Sequence, residues 1–405
     1  MTWWRSPHET ISLALLKKKN KTLHPIIIVG SGLAGYTVAR ELRKLDKNSA
    51  LVIVTADDGR FYSKPMLSNA LASGKSADSL ALSDATQMQN QLNAVIHTHT
   101  RVSAIDSVAH CITMNGVSLP YSKLVLALGA DPIRPQLEGD AVEAVFSVND
   151  LADYARFRVA LAAAKRVAII GGGLIGCEFA NDLQASGYEV ELVHPAPYPL
   201  DRLVPPQVGQ MLHDALQQIG VKWHLEATAR AVDRVGEGYR VTLSTGSTIA
   251  ADVVLAAIGL RPRTQLANEA EIKINRGIVV DRYLQTSAAD VYALGDCAEV
   301  EGLHLPYVMP LMQSARALAK TLAGEHTMVT YPVMPVVVKT PACPVVAVPP
   351  SPGLAGKWLT GEAEAGYSAV FHDVQQLVCG FALAGKAIAQ KNTLTQKMTS
   401  YFSAP

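Results

Sequence analysis

The sequence predicts an α/β fold with two doubly wound parallel sheets, the second inserted in the first, and a small α+β C-terminal domain. Two glycine-rich turns of the same design stand 141 residues apart, GSGLAG at residues 30–35 and GGGLIG at residues 171–176. Each follows an apolar β-branched run and leads into a segment with helical apolar spacing, which is the order of a strand turning into a helix. A further apolar run, residues 291–294, ends in Gly295-Asp296 after the second unit is complete. The second unit therefore appears as an insertion.

The elements follow in the order that a doubly wound sheet requires. The first unit is predicted as a strand at residues 26–29, a helix from Gly35 to about Leu45, and strands at residues 51–54 and 124–127, ended by the stop signal Asp131-Pro132. The second unit runs from Arg166 and has strands at residues 167–170, 189–193 and 253–257. The last 80 or so residues are rich in proline and valine and then alternate in polarity, which predicts a small mixed sheet.

Both glycine turns are predicted to bind a pyrophosphate. A strand that turns sharply into a helix leaves backbone N–H groups unpaired at one point, and the helix dipole adds about half a positive charge there. The two turns therefore predict two Rossmann-like domains, each holding a dinucleotide. The candidate binding residues of the first turn are Gly30, Ser31, Gly32, Leu33, Ala34 and Gly35, and those of the second are Gly171, Gly173 and Gly176.

Size and charge limit the class of protein. A chain of 405 residues exceeds what one hydrophobic core usually supports, so two or three domains are expected. The net charge of +1 divides into +4 for residues 1–24 and about −3 for the remainder, which gives no support to nucleic-acid binding. We predict a tail at residues 1–24, one dinucleotide domain at residues 25–140 and 264–325, the other at 141–263, and the C-terminal domain at 326–405.

The cysteines and the apolar runs indicate a cytoplasmic protein. Five cysteines are scattered, and none forms a CxxC pair, so we expect reduced thiols and neither disulfides nor a metal site. No apolar run approaches the roughly 18 residues that cross a membrane. In the leading segment ISLALL precedes KKKNK, the reverse of a secretory signal, and residues 1–24 are expected to be a disordered tail or a non-native start.

The residue that ends the second strand of each unit indicates which nucleotide is bound. In dinucleotide folds an acid about 20 residues beyond the glycine turn accepts the adenosine ribose hydroxyls. Asp57 occupies this place in the first unit, next to Thr55 and Ala56, with a solvated turn acid as the alternative. In the second unit the place is taken by His194. Because no arginine is present there for a 2′-phosphate, NADH is favoured over NADPH.

Three motifs together resemble the FAD-dependent pyridine-nucleotide oxidoreductases: the early GxGxxG, the central GGGLIGCEFA and the late TSAADVYALGDCA. The resemblance spans residues 25–323. Within that superfamily, four shorter segments resemble the rubredoxin reductases: YSKPMLS, YARFR, VMPLMQSARALA and VKTPACP. The resemblance implies FAD in the first unit and NADH in the second.

The resemblance also implies roles for single residues. Asp296 is expected to hydrogen-bond the ribityl chain of the flavin, with capping of the next helix as the alternative. Glu178 is expected between flavin and nicotinamide, with an exposed helix glutamate as the alternative. Lys64 is expected against the isoalloxazine, where a cation raises the flavin potential, with a solvated lysine as the alternative. The remaining implied flavin neighbours are the backbone of Val102 at the adenine and Val308 and Lys339 at the pyrimidine end.

The electron acceptor is indicated by a missing residue type. Relatives that reduce disulfides carry redox cysteines shortly after the first acidic strand end, but residues 57–71 contain no cysteine. Electrons must then leave the flavin directly, and the resemblance implies rubredoxin, a small one-electron iron protein, as the partner of a monomeric reductase that serves alkane hydroxylation. Three alternatives stay open: a ferredoxin reductase of a monooxygenase or dioxygenase system, an NADH oxidase, and a flavoprotein redox sensor without turnover.

Overall fold

A five-stranded parallel sheet forms the core of the first unit. The computed structural model describes residues 24–363 and 365–400, so nearly all of the predicted tail lies outside the described residues. The strand order is Val291–Ala293, Lys123–Leu126, Ile26–Val29, Leu51–Val54 and Val95–His97, and all four pairings are parallel. The central strand Ile26–Val29 is buried along its whole length because all four residues are apolar and both faces of the sheet are covered.

Helices and a small antiparallel sheet surround this core. The helix Leu33–Leu45 packs against Val308–Leu322, and Ala85–Leu92 lies nearby. An antiparallel sheet joins Val102–Asp106, Cys111–Met114 and Val117–Pro120, so Val102 begins its strand. The shorter elements of this unit are Phe61–Tyr62, Lys64–Asn69, Ala77–Leu80, Ala81–Ser83, Gln265–Glu269, Ile278–Val280, Gly295–Cys297 and Ala298–Val300.

The second unit repeats the design with four parallel strands. Their order is Lys222–His224, Glu189–Val193, Arg166–Ile170 and Val253–Ala256. The unit also contains the helices Leu151–Leu161, Leu174–Ala185 and Pro206–Gln218, the turn Val142–Ala144, and an antiparallel sheet of Ala229–Val235, Gly238–Leu243 and Thr248–Ala251. Its strands come between Lys123–Leu126 and Val291–Ala293, which are neighbours in the first sheet. The predicted insertion is confirmed.

The chain passes between the two units as a two-stranded ribbon. Ala130–Pro132 pairs antiparallel with Leu260–Pro262. The prediction that Asp131-Pro132 ends regular structure is therefore wrong, because an isolated ribbon has free edges on both sides and tolerates residues without an N–H. Arg263 fastens the ribbon, since its Nε donates to Asp131 Oδ1 at 2.7 Å and its Nη1 to the carbonyl of Leu128 at 3.0 Å.

The C-terminal segment forms an antiparallel sheet of five strands. The order is Val336–Val338, Val345–Val348, Val378–Gly385, Gly366–Asp373 and Gly356–Ala363, followed by the helical turns Lys386–Gln390 and Lys391–Gln396. The α+β class is confirmed, but the expected mixed sheet is wrong, because all four pairings are antiparallel. Val338, Ala369 and Ala382 share one core with Leu212 and Phe157 of the second unit. Within the described residues, none of the helices has the length and apolarity that a membrane crossing requires.

Candidate active site

The two glycine turns have the same geometry. Gly30 and Gly171 adopt left-handed backbone angles, with φ of +113° and +112°. A Cβ on Gly35 would overlap the carbonyl oxygen of Gly30, and a Cβ on Gly176 would overlap that of Gly171. These contacts hold each helix close to its strand.

The middle glycines leave room for a ligand. Around Gly32 and Gly173, a Cβ would meet no atom within 4 Å. Each of these glycines precedes its helix without a side-chain cap, so the first helical N–H groups stay available. An open concave turn with free donors fits a dinucleotide pyrophosphate, and the chain presents two of them.

Asp57 is anchored on one side only. Its Oδ1 accepts hydrogen bonds from Ser31 Oγ at 3.0 Å, Thr55 Oγ1 at 2.6 Å and Gly59 N at 2.9 Å. Ser31 and Thr55 are buried, whereas Asp57 and Ala56 are exposed. Oδ2 receives no hydrogen bond from the part of the chain that the structure describes. The carboxylate is thus oriented by the first turn through Oδ1 alone.

Asp296 lies next to the first turn, although it comes from the far side of the inserted unit. Gly295 has φ of +77°, and a Cβ on it would stand 3.0 Å from the Cβ of Ala34. The backbone oxygen of Asp296 lies 3.0 Å from His304 Nε2. Its carboxylate forms no hydrogen bond with residues 24–363 or 365–400 and caps none of their helices, so the capping alternative has no support.

Lys64 lies close enough to Asp296 for the carboxylate to influence its pKa. It begins the 3₁₀ turn Lys64–Asn69 and is half-buried. It has no ion pair or hydrogen bond among the described residues. Burial lowers the pKa of Lys64, and the carboxylate of Asp296 opposes that shift. A half-buried cation without a partner, near an acid without a partner, is the arrangement expected around a polar ligand.

Glu178 is fully buried, with 0% of its surface exposed, so the exposed-glutamate alternative is wrong. Its Oε2 accepts from Ser68 Oγ at 2.5 Å and lies 3.0 Å from Lys339 Nζ, and its Oε1 accepts from Lys339 N at 2.9 Å. Lys339 Nζ also contacts Pro65 O and Asn69 Oδ1. The structure therefore brings the Lys64–Asn69 turn, the helix after the second glycine turn and the start of the C-terminal sheet together at one carboxylate.

The sequence alone did not single out Ser68, Asn181 and Asp182. Asn181 Oδ1 accepts from Ala342 N at 3.0 Å, and Asp182 accepts from Leu71 N at 2.8 Å and Ala72 N at 3.1 Å. Positions 178, 181 and 182 share one helix face by their spacing. Three polar residues on one face of a largely apolar helix were the signal that could have revealed this junction.

The other two candidates, Val102 and Val308, belong to different elements. Val102 is 7% exposed and belongs to the core of the first unit. Val308 is 40% exposed and begins the helix that packs on Leu33–Leu45. No hydrogen bond or ion pair within the described ranges joins either side chain to Lys64, Glu178 or Lys339.

The cysteines do not form a redox centre. All five are unpaired, and Cys177, Cys297 and Cys343 are buried. Burial raises the pKa of Cys177, and it raises the pKa of Cys297 to about 11. Buried thiols held in the protonated state are poor nucleophiles. Among the described residues there is also no group of three or more histidine, cysteine, aspartate or glutamate side chains placed to hold a metal.

The chain belongs to the pyridine nucleotide-disulphide oxidoreductase family, whose model matches residues 24–320. Residues 328–398 match a second model, described as the rubredoxin binding C-terminal domain.

Curated relatives cover almost the whole chain. The chain is 52% identical over 378 residues to rubredoxin-NAD(+) reductase of Alcanivorax borkumensis, covering 93% of this chain and 99% of that protein. It is 47% identical over 381 residues to rubredoxin-NAD(+) reductase of Acinetobacter baylyi, covering 92% and 97%. Among solved structures, NADH:rubredoxin oxidoreductase from Clostridium acetobutylicum has the same fold, with a TM-score of 0.76 at 22% identity over 92% of this chain and 94% of that one.

Proposed function

We propose that this chain is an FAD-dependent reductase that takes electrons from NADH and delivers them to rubredoxin. The proposal rests on two open glycine turns, with Gly295 packed next to the first of them. It also rests on the buried Glu178, on the helix that follows the second turn, which pairs with Lys339 and is hydrogen-bonded to Ser68 of the turn Lys64–Asn69. Whole-length relatives that are rubredoxin-NAD(+) reductases support the choice of donor and acceptor. FAD, when bound, supplies the conversion of a two-electron donor into single electrons.

The residues of the first unit hold and tune the flavin in this proposal. The N–H groups of residues 30–35 bind the pyrophosphate. Asp57 Oδ2 accepts hydrogen bonds from the adenosine ribose hydroxyls, and the backbone of Val102 borders the adenine. Asp296 accepts a hydrogen bond from the ribityl chain. Lys64 places its positive charge beside the ring and favours the reduced form, and Val308 borders the pyrimidine end.

The residues of the second unit orient the nicotinamide. Gly171, Gly173 and Gly176 shape the cradle for the NADH pyrophosphate, and Glu178 lines the gap between the two rings. Because Glu178 is buried and paired, it fixes Lys339 at the flavin edge rather than moving a proton. The hydride step needs no nucleophilic side chain from the protein, so positioning and electrostatics are the contributions of these residues.

The acceptor is tested by comparing rubredoxin, a [2Fe–2S] ferredoxin and a dithiol in steady-state NADH oxidation. Rubredoxin is expected to accelerate NADH consumption far more than either alternative, because Cys177 and Cys297 are buried and all five cysteines are unpaired. A ranking with ferredoxin first would place the chain among the ferredoxin reductases. A protein that binds no FAD would end the proposal.

We also propose that the reductase is a cytoplasmic monomer that serves alkane hydroxylation. Unpaired cysteines suit a reducing compartment. The proposed domains are residues 25–140 with 264–325, residues 141–263, and residues 326–405. Light scattering tests the monomer, and the growth of a deletion strain on an alkane tests the pathway.

A further inference from the structure

The loop that follows the strand Glu189–Val193 is attached to the second glycine turn through His194. This histidine is 6% exposed. Its Nδ1 accepts the N–H of Gly172 at 3.1 Å, and its Nε2 lies 3.1 Å from Asp201 Oδ1. Because Nδ1 accepts, the ring proton is assigned to Nε2, which donates to Asp201. The imidazole thus bridges the turn and the carboxylate.

A second contact fixes the same loop. Leu200 N donates to the carbonyl of Gly172 at 3.0 Å, so the loop binds both polar backbone atoms of that glycine. Leu200 is 3% exposed and has φ of +59°, a left-handed angle that an isolated leucine rarely adopts. The position of Asp201 relative to the turn is therefore determined by burial and by two hydrogen bonds rather than by loop preference.

Only one of the two carboxylate oxygens of Asp201 has a hydrogen-bond partner among the described residues. Oδ1 is taken by His194, whereas Oδ2 receives no hydrogen bond from the described residues, and 32% of the side chain is exposed. The charged neighbour on the same loop is Arg202, which is exposed and forms no ion pair in the described part of the chain. A free carboxylate oxygen beside a dinucleotide turn matches a ribose diol and repels a phosphate on the 2′-oxygen.

We propose that Asp201 recognises the adenosine ribose of NADH and excludes NADPH, with His194 as the positioning residue that holds it. The inference rests on the proposed NADH site. His194 stands where the strand would ordinarily end in the acid, and the carboxylate that pairs with it comes from seven residues further along the chain.

The test measures binding to the FAD-loaded protein by calorimetry with ADP-ribose and with 2′-phospho-ADP-ribose, neither of which transfers electrons. The unmodified protein is expected to prefer ADP-ribose by at least about tenfold. Asp201→Asn is expected to weaken ADP-ribose binding by about tenfold and to reduce the preference by a similar factor, since hydrogen bonds to charged groups are worth that much. His194→Asn keeps a hydrogen-bond acceptor near Gly172 but removes the contact with Asp201. It should also weaken ADP-ribose binding and reduce the preference over 2′-phospho-ADP-ribose.

Two further variants make the outcome decisive. Asp214→Asn is the matched control, because Asp214 also pairs with a histidine, His213 at 2.8 Å, but is itself 54% exposed and lies on the helix Pro206–Gln218. It should change neither affinity. Arg202→Gln should leave ADP-ribose binding unchanged. Unchanged selectivity in Asp201→Asn, or selectivity that follows Arg202 instead, would overturn the inference while leaving the NADH site intact. If the unmodified protein binds no ADP-ribose, the proposed function itself fails.

Discussion

Glu178 and Lys339 are 161 positions apart in the chain and form an ion pair of 3.0 Å. Glu178 belongs to the helix Leu174–Ala185, and Lys339 directly follows the strand Val336–Val338 of the C-terminal sheet. The pair therefore connects the C-terminal sheet to the second unit. Ser68 of the first unit donates a hydrogen bond to the same carboxylate. A fully buried carboxylate is stable only with such partners.

A double-mutant cycle measures this pair. Glu178→Gln and Lys339→Met are each expected to lower the free energy of unfolding by about 2 kcal/mol, because each leaves a partly desolvated charge without its partner. The free energy of unfolding of the double variant should fall by less than the sum of the two single decreases, with a coupling energy of at least about 1 kcal/mol. Urea unfolding of the FAD-loaded protein gives these values.

The control cycle uses the exposed pair Lys320–Glu325, which lies at 3.1 Å. Its coupling should stay below about 0.5 kcal/mol, because solvent screens exposed charges. Additive losses at Glu178 and Lys339 would show that the buried contact does not contribute.

Two glycines of the second turn are expected to have different roles, Gly173 in NADH binding and Gly176 in the stability of the fold. Gly173→Ala points a methyl group into the open cradle, so NADH binding should weaken at least about tenfold while FAD content and the unfolding temperature stay unchanged. Gly176→Ala forces the methyl group into the carbonyl of Gly171 and should lower the unfolding temperature. Equal effects of both variants on stability would contradict the distinction.

Lys64 is expected to set the flavin potential. Lys64→Met removes a positive charge near Asp296 and should lower the two-electron midpoint potential by about 30 mV, which corresponds to roughly 1.4 kcal/mol. Spectroelectrochemical titration of the purified flavoprotein measures it. Lys75→Met, an exposed lysine on the following segment, is the control and should leave the potential unchanged. A potential that does not move in Lys64→Met would remove Lys64 from the site.

The stability of the protein should depend on pH through His194. Burial lowers the pKa of His194 from 6.5, and Arg202 adds to the lowering, while Asp201 opposes it. The unfolded chain therefore takes up this proton first, so stability is unaffected above about pH 6.5 and falls as the pH drops toward the lowered pKa. The slope from this group is at most about 1.4 kcal/mol per pH unit.

The measurement compares the protein with His194→Asn by urea unfolding at several pH values. The variant has no proton to gain at this position, so the difference between the two free energies should shrink below pH 6.5 and stay constant above it. A difference that is the same at every pH would show that His194 does not titrate on unfolding.

The parts of this protein that depend on neighbours in the chain were predictable from sequence. The strand, glycine turn and helix that build each cradle are consecutive, and the repeated design also predicted the insertion of one unit in the other. Lys64, Glu178 and Asp296 were reached through motif resemblance, which carries residue identity but not surroundings.

The tertiary structure alone decided which groups meet. It brought Ser68 and Lys339 into contact with Glu178, and Ala342 into contact with Asn181. It also linked Asp201 to Gly172 of the second turn through His194. It also showed that Asp131 and Pro132, predicted to end regular structure, belong to a two-stranded antiparallel ribbon. A backbone turn is determined by local sterics, whereas a contact between distant segments depends on how whole units pack, and no periodicity in the chain encodes that.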